Sequence, residues 1–98
     1  MLKDSLSKNT LGEAITLTVD TDFVAPSNGY FIIGQTYHSG TSTNGYVNGV
    51  RLLTLATSAG NVAGNPEIAL FVRKGMILKF THSGEGSGTS SGSFRALI

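Results

Sequence analysis

Two tripeptides of one form, His38-Ser39-Gly40 and His82-Ser83-Gly84, hold both histidines of the chain. An imidazole beside a hydroxyl can donate and accept hydrogen bonds near neutral pH. Each tripeptide follows a β-forming run and opens a stretch of Ser, Thr and Gly. If the two runs point the same way in space, both loops share one rim of the fold and make a shallow polar site. There, Tyr37 or Tyr46 would stack on a sugar ring while His, Ser and Asn side chains hydrogen-bond its hydroxyls. The plainer reading is that His and Ser are solvated where a strand meets water.

Other chemistry is harder to place. Gly88-Thr89-Ser90-Ser91-Gly92 matches the G-x-S-x-G nucleophile pattern, which needs a strained strand-to-helix turn with Asp and His later in the chain. No histidine follows Ser90. The run Gly84-Glu85-Gly86-Ser87-Gly88 has the glycines of a phosphate cradle without its Gly-Lys-Ser/Thr or a helix to aim a dipole. Asp20 and Asp22 read as a turn, because calcium takes about six or more oxygen ligands. Two histidines, six acidic residues and no cysteine make no dense metal-ligand set. No catalytic residue, metal or cofactor is expected.

Composition narrows the class further. The chain of 98 residues is one domain, 13% charged with a net charge of +1. Seven scattered Lys and Arg residues give no basic face for nucleic acid. Tyr30, Phe31, Phe71 and Phe80 lack the basic interleaving of a base-stacking platform and read as core or interface residues. No apolar stretch approaches the ~18 residues of a membrane span, and residues 1–10 lack the apolar middle of a signal peptide. A domain of this size buries only about 60–65% of its unfolded surface. With no disulfide or metal to supplement that core, self-association is the expected supplement.

Along the chain, residues 1–12 read as a lead-in or stalk remnant and residues 13–98 as a β-domain. Ile15, Leu17 and Val19 alternate with Thr16 and Thr18, as in a strand with one wet face. Pro26-Ser27-Asn28-Gly29 predicts a tight reversal. The next strand, residues 30–37, sets Tyr30 and Ile32 on one face and Phe31 and Ile33 on the other, so both faces are covered. Residues 38–44 read as a loop, and Asn48-Gly49 between β runs as a hairpin turn. Two further strands, 68–72 and 76–80, meet at Arg73-Lys74-Gly75, with positive φ at the glycine. Residues 57–66 and 82–93 read as loops, and 94–98 as a final packed strand. Six to eight short strands with no significant helix predict an all-β, antiparallel sandwich of jelly-roll type.

Three phrases in order carry a resemblance: Phe23-Val24-Ala25-Pro26-Ser27-Asn28-Gly29-Tyr30, then Val47-Asn48-Gly49-Val50, then Val72-Arg73-Lys74-Gly75-Met76-Ile77-Leu78. Over residues 12–98 the chain resembles the small C-terminal head domains of bacteriophage tail fibres, tail needles and head fibres, within the jelly-roll class of tumour-necrosis-factor and C1q-like heads. It departs from them in having no long stalk ahead of the head. The resemblance implies a homotrimer on a virion or phage-like particle that binds a host-surface glycan or protein through exposed loops. For that role the expected contact residues are His38, Ser39, Thr41, Asn44, His82 and Glu85. Tyr30, Ile32, Leu97 and Ile98 are the expected trimer contacts. A structural virion protein, such as a capsid decoration or fibre cap, and a monomeric carbohydrate-binding module are the alternatives.

Overall fold

The structure is a computed structural model that describes residues 11–35, 41–56, 66–83 and 89–97. Its eight strands are β1 (Leu11–Thr16), β2 (Phe23–Val24), β3 (Gly29–Gln35), β4 (Ser42–Val47), β5 (Val50–Ala56), β6 (Glu67–Val72), β7 (Ile77–Ser83) and β8 (Ser90–Leu97). They form two antiparallel four-stranded sheets, ordered β1-β8-β3-β6 and β2-β7-β4-β5. Strands therefore pair as nested partners, first with last and inward to the β4–β5 hairpin. This is the order that results when one long hairpin wraps into two facing sheets, and it makes the fold a jelly roll. Among the described residues no helix is long and apolar enough to cross a membrane.

Alternation builds the core. Phe31, Ile33, Val72, Phe94 and Ala96 point inward from the first sheet, and Val47, Leu53, Leu78 and Phe80 from the second. In β7 Leu78 and Phe80 are buried and Lys79 turns outward. Gly92 lies directly beneath the Phe80 ring, and a β-carbon there would run into that ring, 2.7 Å from its Cε1. The aromatic ring takes the space that any side chain at this position of β8 would need.

Turn chemistry explains the connections. Asn48 (φ 51°) and Gly49 (φ 83°) both take positive φ, the two-residue geometry that matches strand twist in a hairpin. Asn48 also holds the hairpin to β7, donating from its backbone N–H to the Ile77 carbonyl at 2.8 Å. Its Oδ1 accepts from the Ile77 N–H at 2.9 Å. Gly75 has φ 91°, as its turn predicts.

Several expectations need correction. β1 includes Leu11 and Gly12, ahead of the expected boundary, and stops at Thr16 rather than running to Val19. The Leu17 N–H donates to Gly92 of the first sheet, the Asp20 N–H to Phe80 of the second, so the chain crosses between sheets here. The 26–29 segment is likewise a crossover from β2 to β3, not a hairpin. Neither Asn28 nor Gly29 has positive φ. Glycine is required at 29 for close approach instead, since a β-carbon would strike the Arg95 carbonyl and come within 2.7 Å of the Phe94 ring. Finally, the segments expected as loops are partly strand: Ser42 and Asn44 belong to β4, and Ser90 to β8.

Candidate functional site

One end of the sandwich gathers the candidate rim. Gln35 at the end of β3 pairs with Ser90 at the start of β8, and Gly34 with Glu67 at the start of β6. In the second sheet Ser42 at the start of β4 lies between Ser83 at the end of β7 and Ala56 at the end of β5. The segments 36–40, 57–65 and 84–88 are therefore all rooted at this one end. The strands ahead of the two His-Ser-Gly tripeptides do point to a shared rim. His38, Ser39, Tyr37 and Glu85 themselves lie outside the described residues.

Beneath the rim a line of polar groups enters the core. Gln35, Thr41 and Thr43 are 4%, 2% and 0% exposed. The Thr43 hydroxyl donates to Gln35 Oε1 at 2.9 Å, and the Gln35 amide faces the Thr41 carbonyl at 3.5 Å. Thr43 also shares a hydrogen bond with Ser90, and Ser90 shares one of 2.6 Å with His82 Nδ1. A hydroxyl has one proton to give. Thr43 gives its proton to Gln35, and the Ser90 hydroxyl lies between Thr43 and the His82 ring nitrogen. A line of polar contacts thus runs from the exposed imidazole through two hydroxyls to a buried amide.

These contacts bear on the G-x-S-x-G pattern. Ser90 does meet a histidine, one that precedes it in sequence. Ser90 sits at the start of a strand rather than on a strand-to-helix turn. Among the described residues no carboxylate orients His82, and no three His, Cys, Asp or Glu side chains group as metal ligands.

Ser90 borders two openings. A cleft of about 230 Å³ lies between the ends of β3, β6 and β8, lined by Gln35, Glu67, Ser90 and Ser91. A shallower one of about 260 Å³ is bounded by Val19, His82, Thr89 and Ser90. The first offers hydroxyl, amide and carboxylate groups, which suits a hydrated polar ligand, whereas Val19 makes the second more apolar.

The remaining expected residues scatter. Thr41 is buried at the root of the rim and presents its carbonyl to Gln35 rather than a side chain to solvent. Asn44 lies inside β4, its Oδ1 accepting from Thr54 Oγ1 at 3.1 Å. Tyr46 is four residues along β4 from Ser42, which places it about 14 Å from the rim, so it cannot share the His82 site. Sequence reasoning missed Thr43 and Gln35 and weighed Ser90 only as the serine of the G-x-S-x-G match. Only period-two alternation through Thr41, Thr43, Gly45 and Val47 pointed inward at them.

The expected interface residues fare differently. Tyr30, Ile32 and Leu97 share the outward face of the first sheet, where Tyr30 is paired with Phe71 and Ile32 with Ala69. The Tyr30 and Phe71 rings meet edge to face at 5.8 Å. Phe71 and Leu97 are exposed. Ile98 lies outside the described residues.

Thr43 provides a direct check on the polar line. Thr43→Val keeps the shape and removes the donor to Gln35, and is expected to cost about 1–3 kcal/mol in urea denaturation. Ser42→Ala, on the outer face of the same strand, is expected to stay within about 0.5 kcal/mol. Equal losses would mean that the buried chain does not hold this end together.

No family model, curated protein or solved structure matches the chain.

Proposed function

We propose that the chain is a non-enzymatic, trimeric head domain of a phage-like fibre, which recognises a host-surface receptor with its loop-bearing rim. The observation that carries this reading is the outward face of the first sheet. Tyr30 and Ile32 of β3 with Phe71 and Ala69 of β6 form an apolar patch on the side away from the core, bordered on β8 by Arg95 and Ser93. A contiguous apolar patch on a small, weakly charged domain marks a protein interface. Burying that patch against two further copies supplies the hydrophobic area that one small core lacks.

The placement of the chain ends fits the same role. Leu11 pairs with Leu97 at the end opposite the rim. Any stalk ahead of β1 would join at that end and leave the three loop roots facing outward. Three copies would present three equivalent rims on a rigid scaffold, so weak individual contacts gain from avidity. Ser90 and His82 set hydroxyl and imidazole groups at the rim, where they can hydrogen-bond a receptor.

Retention of the labelled protein on bacterial cells and on their purified surface polysaccharides tests the recognition role. Exchange of His82 and Glu85 together for alanine is expected to lower retention about tenfold or more, with the solution mass unchanged. A trimer that no tested cell or polysaccharide retains would favour a structural virion protein instead.

A further inference from the structure

The second sheet turns a very different face outward. Ser42, Asn44 and Tyr46 of β4 stand beside Ser83, Thr81 and Lys79 of β7, register for register. This strip is polar and half-exposed, whereas the corresponding strip of the first sheet is apolar. At its far end lies a depression of about 340 Å³ lined by Asp22, Tyr46, Asn48, Gly49, Ile77 and Lys79. From this geometry we infer that the depression is a saccharide subsite that takes one uncharged hexopyranose unit of a glycan laid along β4 and β7 toward the rim.

Each group has a part that sugar chemistry requires. The Tyr46 ring offers a π-face whose negative quadrupole attracts the C–H side of a pyranose. The Ile77 side chain adds apolar floor. Asp22 is exposed and accepts from two vicinal hydroxyls through its two carboxylate oxygens. Asn48 is fixed by its Oδ1, which accepts from Ile77 N–H at 2.9 Å, so its amide N–H₂ is the end that can donate to the ligand. Lys79 Nζ rests 5.7 Å from the Tyr46 ring centre and can swing from that ring to a sugar hydroxyl on its flexible stem. Acceptor, donors and ring thus surround one cavity, and the positive φ turn at Asn48 and Gly49 holds its rim rigid.

Charge selects the ligand class. Asp22 and Lys79 bring opposite charges to the depression without forming an ion pair with each other. An anionic sugar would meet the Asp22 carboxylate at close range. Arg51 stands across β4 from Lys79, on the other side of Tyr46, and is not part of the lining. An uncharged ring satisfies both Asp22 and Lys79 through hydroxyls. From Tyr46 the strip runs through Asn44 and Thr81 to Ser42 and Ser83, about 14 Å along β4, room for further sugar units before the rim. This subsite rests on the glycan form of the recognition reading and adds a contact on the flank to those made at the rim.

Amide-resolved NMR titration of the protein separates the possibilities. The probes are galactose, glucose and N-acetylglucosamine with their β-linked trisaccharides, and glucuronate as the anionic control. At least one neutral trisaccharide is expected to shift the Tyr46, Gly49 and Lys79 amides with a Kd of about 1 mM, and glucuronate is expected to shift none. Asp22→Asn, at an exposed turn and with little consequence for folding, is expected to weaken binding about tenfold. Tyr46→Phe retains the ring and is expected to bind within about threefold of wild type, while Tyr46→Ala abolishes binding. Shifts confined to Gln35, Ser90 and Ser91 would overturn the flank subsite and leave glycan recognition at the rim standing. No shift from any neutral sugar would overturn the subsite and count against the glycan form of the recognition reading as well.

Discussion

Phe94→Ala is expected to remove most of the stability of the domain. Phe94 is fully buried at the centre of β8 and lies between Phe31 of β3 and Ile15 of β1 in register. Its ring also meets Phe23 of β2 at 5.8 Å, so one side chain joins both sheets. The backbone at Gly29 closes over the same ring, and a β-sheet backbone cannot collapse into the space that truncation would leave. Large-to-small changes of this kind cost about 3–5 kcal/mol, against a total of about 5–15 kcal/mol for a typical domain. The urea midpoint followed by circular dichroism should fall by about 2 M or disappear. A fall below about 0.5 M would mean that the sheets are not joined through Phe94.

Ile32→Lys should leave the fold intact and take the assembly apart. Ile32 occupies the middle of the outward apolar strip, flanked by Ala69 and Ser93. On a lone subunit a lysine here reaches water easily, because β-carbons alternate across the sheet and this one faces away from the core. In a trimer that covers the strip, the ammonium would be buried without a partner, at a cost of several kcal/mol. The variant is therefore expected at the 10.2 kDa mass of one chain, with the circular dichroism spectrum of the wild type. An Ile32→Lys protein that keeps the wild-type mass would show that this face is not the interface.

The contrast between these two residues also shows what sequence can convey. Tyr30, Phe31, Ile32 and Ile33 alternate cleanly, and the structure puts them on the faces that alternation assigns. Turns were legible where the required backbone is rare, as at Asn48-Gly49 and Gly75. Legibility failed where polar residues turn inward. Thr41 and Thr43 look like loop residues by composition, yet they are buried because Gln35 and Ser90 satisfy them. It failed again where a glycine answers to a neighbour rather than to its own φ, since nothing local to Gly29 or Gly92 announces the rings of Phe94 and Phe80. The flank depression combines Asp22, Tyr46, Asn48 and Lys79 from three separate stretches of chain. Only the nested strand order brings such residues together, and that order depends on long-range pairing that no local pattern encodes.

The trimeric head stands or falls on the mass of the wild-type protein in solution. Size-exclusion chromatography with light scattering at low micromolar concentration is expected to give three times the 10.2 kDa chain mass. A single species at 10.2 kDa would contradict the account, because the apolar patch of Tyr30, Ile32, Ala69 and Phe71 would then face water with no partner copy to cover it.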